Sequence, residues 1–202
     1  MQFSSSFFVV ALLTASASFA QDKPHFSGDA GWGFYRTPAI ARSTDKETIA
    51  LPYLYGDYGN FYARTDTFGY KLGAMGHGHL ELATRISFEG YQPLNAGLSN
   101  RSRPTPIGVG TLQETSIGGF LVYGFHDPTS GGKLLESTYV AQMDVGKLSL
   151  YPQLGLERRD PKYVNHLYGV TTNEAALSGL RSYTAGSSTS YTLGLALEYP
   201  LP

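Results

Sequence analysis

The sequence predicts an all-β protein, an antiparallel up-and-down β-barrel that crosses a membrane with about eight strands, and eight to twelve are compatible. Three observations carry this prediction. The last strand has one apolar face bracketed by tyrosines, the N-terminus has the pattern of an export signal, and several further segments alternate over the length of a barrel strand. The composition agrees, because 24 Gly and 15 Tyr with only 15% charged residues fit short strands and turns better than helices.

The final strand, residues 189–199, alternates strictly between large apolar and small or polar side chains. The apolar positions are Tyr191, Leu193, Leu195, Leu197 and Tyr199. Side chains of a strand alternate between its two faces, so these five are predicted to face lipid. The two tyrosines bracket a span that, at about 3.3 Å per residue and a tilt of roughly 40°, fits a hydrocarbon band about 20 to 25 Å tall. For a single strand, a soluble β-sandwich with one buried face stays an alternative.

The N-terminus, residues 1–20, has the order of a secretory signal peptide. A polar start leads into the apolar run Phe7–Leu13, and the segment ends at Ser18-Phe19-Ala20, a small-x-small cleavage pattern. Residues 21–202 are then the mature domain, which contains no run of 18 apolar residues. An exported protein can still enter a membrane as a closed barrel.

Other segments repeat the alternation. Residues 79–89 and 147–157 place leucines on one face and Glu, Arg or Gln on the other. Residues 116–125 are predicted to turn Ile117, Leu121, Tyr123 and Phe125 outward, whereas residues 61–72 alternate irregularly and suggest a β-bulge. Strand lengths of about 9 to 12 residues, the export signal and the tyrosines together favour the barrel over the sandwich.

The long connection over residues 158–188 carries an ordered set of short motifs. They are Tyr168-Gly169-Val170-Thr171, then an Ala-rich stretch, Ser178-Gly179-Leu180, and Ala185-Gly186 after an aromatic residue. Here the chain resembles the MipA/OmpV family of outer-membrane proteins, in which such a segment lies between two barrel strands. Upstream matches such as Leu51-Pro52-Tyr53-Leu54-Tyr55 extend the resemblance over most of residues 27–199.

The resemblance implies a barrel in the outer membrane, in contact with its lipid. It also implies a role in the cell envelope as a scaffold that brings a lytic murein transglycosylase together with a murein synthase, the enzymes that cut and build peptidoglycan. Other members look like small porins or adhesins. Family members usually continue for at least one more hairpin beyond the strand that matches 189–199, so the resemblance leaves two alternatives, a smaller barrel or a chain without the family's last hairpin.

The sequence predicts no catalytic residue, no metal and no cofactor. Cysteine is absent and the net charge is −1, which suggests neither thiol chemistry nor a nucleic-acid partner. His77 and His79 are two apart but lack a third ligand nearby in sequence. Glu81, Arg85 and Glu89 resemble an acid/base set, yet charged groups inside a barrel usually neutralise one another. The protein is therefore predicted not to be an enzyme, with an outer-membrane lipid-modifying enzyme as the weakest alternative.

A scaffold needs a surface outside the lipid, and the two longest connections, residues 92–112 and 158–188, are the candidates. With an N-terminus in the periplasm and about eight alternating strands, the first is predicted to lie on the periplasmic side and the second outside. Arg101 and Arg103 in the first connection are therefore the candidate partner-binding residues. A small diffusion pore remains the alternative, and strand number distinguishes the two functions because larger barrels leave channels.

Overall fold

The computed structural model describes residues 9–14, 25–36 and 48–200, which form twelve strands and two helices. The strands are β1 (Val9–Thr14), β2 (Phe26–Arg36), β3 (Thr48–Tyr58), β4 (Phe61–Arg64), β5 (Thr67–Met75), β6 (Gly78–Arg85), β7 (Ile107–Thr115), β8 (Gly118–Asp127), β9 (Gly132–Val140), β10 (Met143–Val145), β11 (Leu148–Arg159) and β12 (Ser188–Pro200). The helices are α1 (Pro161–Tyr168) and α2 (Thr172–Ser178). Neither of these helices is long and apolar enough to cross a membrane.

One sheet contains all of these strands and closes on itself. Its order is β10-β11-β12-β1-β2-β3-β4-β5-β6-β7-β8-β9, and β9 also pairs with β11. Strand β10 continues β9, since Val140 opposes Gln153 and Met143 opposes Leu150 in one unbroken register. The interruption lies opposite Pro152, which has no N–H to donate. With β9 and β10 as one strand, the described chain forms an eleven-stranded ring, and the predicted all-β, up-and-down barrel is confirmed.

Strand β1 lies between β2 and β12 and departs from the antiparallel order. It is antiparallel to β2 over three residue pairs and parallel to β12 over six. Every other neighbouring pair in the ring is antiparallel. Residues 9–14 belong to the predicted signal peptide, whose expected cleavage site after Ala20 lies outside the described residues.

The two ends of the barrel differ in the length of their connections. One end, termed the turn end, joins its hairpins through two-residue turns at residues 59–60, 76–77, 116–117 and 146–147. The opposite end, the loop end, carries the connections 86–106 and 160–187 together with two short turns. Strand β2 begins at the turn end and β12 finishes there, because Phe26 opposes Tyr58 and Glu198 opposes Ser149.

Exposure alternates along the strands and separates a lumen-facing side from an outer side. On β6, Leu80 and Leu82 are exposed while Glu81 and Ala83 are buried. On β8 the outward prediction is wrong for Leu121, Tyr123 and Phe125, whereas Ile117 is exposed. Tyr123 and Phe125 face the lumen and are buried, because the Tyr123 hydroxyl donates to Glu81 and both rings stack with centroids 5.8 Å apart.

The sequence pattern conceals two strands. The irregular stretch 61–72 contains the whole of the short strand β4, a turn at Thr65–Asp66 and the start of β5. Thr65 adopts a left-handed φ of 62°, which residues other than glycine rarely do. The predicted bulge is confirmed by a register shift between Lys71 and Gly73. The predicted loop over residues 92–112 overlaps strand β7, whose first two lumen positions are Gly108 and Gly110. A Cβ on Gly110 would lie 2.0 Å from the Tyr123 ring.

Candidate functional site

The lumen contains a cavity of about 550 Å³. It extends from the turn end, where Glu114, Thr115 and Gln142 line it, to a layer of charges that includes Arg85 and Glu136 near the loop end. Polar and aromatic side chains on the inner faces of most strands form its wall. Such a cavity can hold water or a small ligand, so its two ends decide what can pass through it.

Arg85 joins several carboxylates of the charge layer, which lies near the loop end of the cavity. Its Nε donates to Asp66 Oδ2 at 3.0 Å, and its Nη1 donates to Glu136 Oε2 at 2.5 Å and Glu157 Oε2 at 3.1 Å. These partners come from the β4–β5 turn, β9 and β11, so the side chains meet across the lumen. The guanidinium can satisfy several carboxylate oxygens at once because its donors form a planar fork.

A second arginine extends the layer toward the loop end. Arg159 donates from Nε to Glu157 Oε1 at 2.5 Å and from Nη1 to Glu89 Oε1 at 2.6 Å. Glu89 also accepts a hydrogen bond from the Tyr163 hydroxyl at 3.1 Å, and the Arg159 guanidinium lies 5.2 Å from the Tyr163 ring centroid. Arginines and carboxylates thus form one connected network across the lumen. This network links the barrel wall to the first helix of the long connection.

Helix α1 covers the loop end of the barrel. Asp160 is its N-cap, because Asp160 Oδ1 accepts from the Tyr163 N–H at 2.9 Å, and Pro161 suits the first helical position. Its buried face, Tyr163 and Leu167, packs against lumen residues of three strands: Ala83, Tyr123, Phe125 and Leu134. Leu167 has no exposed surface. Tyr123 and Phe125, which the sequence pattern assigns to the lipid-facing side, therefore form part of the surface on which this helix packs.

The two long connections meet above the helix and form a cap over the barrel. Arg101 Nη1 lies 3.0 Å from Glu174 Oε1, and its Nη2 donates to the Gly169 carbonyl at 2.7 Å. The Tyr91 hydroxyl donates to the Leu167 carbonyl at 2.7 Å, and the Ser99 N–H donates to Glu174 at 2.9 Å. Hydrogen bonds from Arg101, together with those from backbone N–H groups, hold the pKa of Glu174 well below its usual range.

The first part of the predicted family motif builds the joint between the two helices. Gly169 follows α1 at its C-terminal cap, where a Cβ would lie 2.4 Å from Asn165 Oδ1. Val170 exchanges two backbone hydrogen bonds with Tyr183, at 2.8 and 2.9 Å. Thr171 caps α2 and forms a capping box with Glu174. Tyr168 packs partly buried against the core beneath α1.

The second part of the motif closes the cap. Gly179 ends α2 in the left-handed conformation with a φ of 72°, and the Ser178 hydroxyl accepts from the Leu180 N–H at 3.3 Å. The Ala185 N–H donates to Asn165 Oδ1 at 2.9 Å, and Ala185 is buried. Gly186 is exposed. The contacts of these motif residues are made within the cap itself.

The candidate partner residues lie in this cap. Arg101 is largely buried by its contacts with the second connection, whereas Arg103 is exposed. The prediction that the two connections lie on opposite sides of the membrane is wrong, because they contact each other at the loop end. It failed because the strand count between them was too low.

Other sequence candidates fall outside the cap. Among the predicted lipid-facing residues, Tyr191 and Leu193 are each 74% exposed, Leu195 and Tyr199 are also exposed, and Leu197 is intermediate. His77 lies in a turn at the turn end and His79 follows it, and both are exposed. Within the described ranges, no three His, Cys, Asp or Glu side chains are grouped as a metal site would need.

Sequence reasoning missed the buried arginine Arg64, which lies closer to the turn end than the Arg85 network. The Arg64 guanidinium lies 5.0 Å from the ring centroids of both Tyr55 and Tyr62. Its Nη2 binds Asp57 Oδ1 at 3.0 Å, and its Nη1 donates to the carbonyls of Gly56 and Ala63. The sequence signal was the alternation of residues 53–57, which places Tyr53, Tyr55 and Asp57 on one face. The contacts stabilise the wall where β4 is short.

Comparison with known proteins agrees with this architecture. Residues 30–202 match the family described as "MltA-interacting protein MipA". The chain belongs to the MipA family. MipA-family relatives include "Putative outer membrane protein YiaT" of Escherichia coli O157:H7, 25% identical over 96% of this chain and 81% of that protein. They also include "MltA-interacting protein" of Escherichia coli K12, 26% identical over 93% of this chain and 78% of that protein.

A further relative is "Outer membrane protein Omp26La" of Vibrio anguillarum, 28% identical over 52% of this chain and 41% of that protein. No solved structure matches the chain. These three relatives are named as outer-membrane or interacting proteins, and none of the three names describes an enzyme. This MipA-family chain is thus an outer-membrane β-barrel, and the predicted family and location are confirmed.

Proposed function

We propose that this MipA-family barrel is a non-enzymatic scaffold that binds a murein transglycosylase at its turn end and, through that complex, a murein synthase. The observation that carries the proposal is the contrast between the two ends. The loop end is covered by the cap, whereas the turn end has short turns and an exposed apolar rim. In outer-membrane barrels the short turns face the periplasm, which is where enzymes acting on murein are found.

The rim at the turn end is formed by exposed apolar side chains on four neighbouring hairpins. Its members are Tyr58, Met75, Ile117, Met143 and Val145. Ile117 lies within a turn and is 68% exposed, so its side chain extends beyond the strands. Apolar side chains in such a position are suited to a protein partner, because contiguous exposed apolar surface marks interaction sites. A relative's name, "MltA-interacting protein", agrees with a partner of this kind.

The non-enzymatic part of the proposal rests on how the lumen charges are used. Arg85 and Arg159 each bind two or more carboxylates, and Glu81 accepts from Tyr123. A general acid or base needs a proton-transfer group in reach of substrate, and these groups are held by one another. The structure therefore supports a stabilising role for them.

The binding experiment compares two ends of one molecule. The double variant Ile117→Asp/Met143→Asp alters the rim, and Leu94→Asp alters a residue that is 74% exposed in the cap. We expect the rim variant to weaken binding of a purified lytic transglycosylase by tenfold or more, about 1.4 kcal/mol, while the cap variant binds normally. Equal binding by all three proteins would contradict the scaffold proposal.

A diffusion pore is the second candidate, and the lumen cavity favours it. Any pore through this barrel must pass the Arg85 network and the α1 helix, which lie across the loop end. The pore proposal therefore predicts that conductance in a planar bilayer is low for the intact protein and rises when residues 161–186 are replaced by a short linker. High conductance of the intact protein would favour the pore over the scaffold.

A further inference from the structure

The outer side of the barrel carries two exposed basic side chains at the loop end. They are Lys133 on β9 and Arg158 on β11. Exposure alternates along both strands, so the two side chains point away from the lumen. Arg158 opposes Leu135, which places Lys133 diagonally across from Arg158 on the same face, at about 7 to 8 Å. One anionic group can therefore reach both side chains.

A third cation lies beside this pair. Lys162 is exposed near the start of α1, which follows β11 directly. The Asp160 N–H donates to the Lys133 carbonyl at 3.0 Å, so Lys162 lies within two residues of a contact with β9. His126, on β8, opposes Lys133 and is also exposed. Lys133, Arg158 and Lys162 are termed the basic cluster.

The carboxylates near the basic cluster are engaged in other contacts. Glu136 and Glu157 bind Arg85 inside the lumen. Asp160 caps α1, and the buried Asp127 accepts hydrogen bonds from the turn that follows it. Within residues 9–14, 25–36 and 48–200, none of the three cations of the basic cluster forms an ion pair. Their charge is therefore not neutralised by this part of the chain.

The basic cluster lies at the edge of the apolar outer face. Strand β11 has 12 residues, which at about 3.3 Å per residue and a tilt of roughly 40° rise about 25 to 30 Å. Arg158 is the next-to-last of them, so it lies where a hydrocarbon band of roughly 25 Å ends. Leu135 beside it, and Leu154 and Leu156 further toward the turn end, are exposed on the same side. Cationic and apolar surfaces are thus adjacent.

We propose that the basic cluster binds the phosphate groups of a phosphorylated lipid in the outer leaflet, whose acyl chains lie against these leucines. Arginine matches phosphate oxygens with two parallel donors, and lysine adds a point charge. Three cations in one cluster favour a headgroup with more than one phosphate. The choice of leaflet rests on the proposed function, in which the turn end faces the periplasm and the loop end faces the outside of the cell.

The adjacent leucines distinguish a lipid from a free anion. Inorganic phosphate would contact the cations alone. The acyl chains of a lipid hold its headgroup at the depth of the basic cluster, and each Lys or Arg near a membrane surface strengthens the binding of anionic lipid. We therefore expect the lipid to bind far more tightly than inorganic phosphate.

Binding of lipid A tests this site, because lipid A joins two phosphates and several acyl chains in one molecule. The folded protein, delipidated in dodecyl maltoside micelles, is titrated with lipid A, and bound lipid is counted by native mass spectrometry. Lys133→Ala/Arg158→Ala, the cluster variant, removes two cations of the site. Lys147→Ala/Arg181→Ala removes two exposed cations elsewhere and is the charge-matched control.

We expect the cluster variant to bind lipid A about tenfold more weakly than the parent chain, and the control variant to bind it normally. The exchange Lys133→Arg/Arg158→Lys keeps both charges and should also bind normally, which separates a loss of charge from a change in folding. Lipid A without its phosphates should bind the parent chain as weakly as lipid A binds the cluster variant.

Three results would each overturn the proposal. They are equal affinity of the cluster and control variants for lipid A, equal affinity of the parent chain for lipid A with and without phosphates, and binding of inorganic phosphate as tight as that of lipid A. The rim variant Ile117→Asp/Met143→Asp should bind lipid A normally, so a failure of the scaffold proposal is distinguishable from a failure of this one. Binding in micelles also does not depend on which way the barrel faces.

Discussion

Arg101 Nη1 lies 3.0 Å from Glu174 Oε1, although the two residues are 73 positions apart in the chain. Their ion pair joins the two long connections. Both side chains are largely buried, and Glu174 also caps the second helix. This ion pair therefore holds the two connections of the cap together. Arg101, a candidate partner-binding residue in the sequence, is thus engaged within the molecule.

The first prediction concerns this ion pair. Arg101→Ala should destabilise the cap by about 1.5 to 3 kcal/mol, because a hydrogen-bonded charge loses its partner. Limited proteolysis of the folded protein should then cleave within residues 160–187 faster than in the parent chain. Arg103→Ala, two residues away and exposed, is the matched control and should leave the cleavage rate unchanged. Equal cleavage of both variants would show that the pair does not hold the cap.

The second prediction is the pH dependence of the same contact. Hydrogen bonds from Arg101 and backbone N–H groups lower the pKa of Glu174 in the folded state from its ordinary value of 4.5. A carboxyl group with a lowered folded pKa contributes stability that is present above the unfolded pKa and is lost as pH falls through the folded one. The cap should therefore persist through mildly acidic pH and loosen only in strong acid. Carboxyl NMR of Glu174 measures this directly, and titration near 4.5 would contradict it.

The third prediction concerns the two faces of the final strand. Leu195 is 46% exposed on the outer side, and Ala196 is 7% exposed and lines the lumen cavity. Leu195→Arg should cost about 2 to 4 kcal/mol if the position lies near the bilayer midplane. Ala196→Arg should be better tolerated, since the cavity offers space and carboxylates. Urea titration of folding into lipid vesicles compares them, and equal costs would show that the outer face does not contact lipid.

The fourth prediction concerns the Tyr123–Glu81 hydrogen bond of 2.5 Å within the lumen. Tyr123→Phe leaves the buried Glu81 carboxylate without this donor and should lower the free energy of unfolding by about 1 to 3 kcal/mol. Tyr58→Phe, on an exposed tyrosine at the turn end, is the control and should change little. A neutral result for Tyr123→Phe would mean that water replaces the hydroxyl in the lumen.

Some of this architecture was accessible from the sequence for a physical reason. Barrel strands carry a period of two whenever the outer face is apolar and the inner face is small or polar, as in residues 189–199. The export signal and the ordered motif over residues 168–186 added a location and a family. Each of these features lies within a short segment, so it can be recognised from the sequence of that segment alone.

The rest depended on contacts that no local pattern encodes. Tyr123 and Phe125 are apolar enough to resemble lipid-facing residues, but they form the seat of α1, which lies far along the chain. The turn at Thr65–Asp66 has no glycine to mark it, so the sequence pattern merges two strands into one. Strand β7 was also missed, because residues 92–112 were predicted to be a loop, so one strand too few was counted between the two connections. That undercount placed the connections on opposite sides of the membrane, whereas Arg101 and Glu174 show them in contact.

The sidedness of the barrel is the claim on which the scaffold proposal depends, and single-cysteine labelling tests it most directly. Lys147→Cys places a thiol in a turn at the turn end, and Leu94→Cys places one in the cap. In intact cells, a membrane-impermeant maleimide should label Leu94→Cys at once and Lys147→Cys only after the outer membrane is permeabilised. Labelling of Lys147→Cys in intact cells, with Leu94→Cys protected, would contradict the assignment of the turn end to the periplasm.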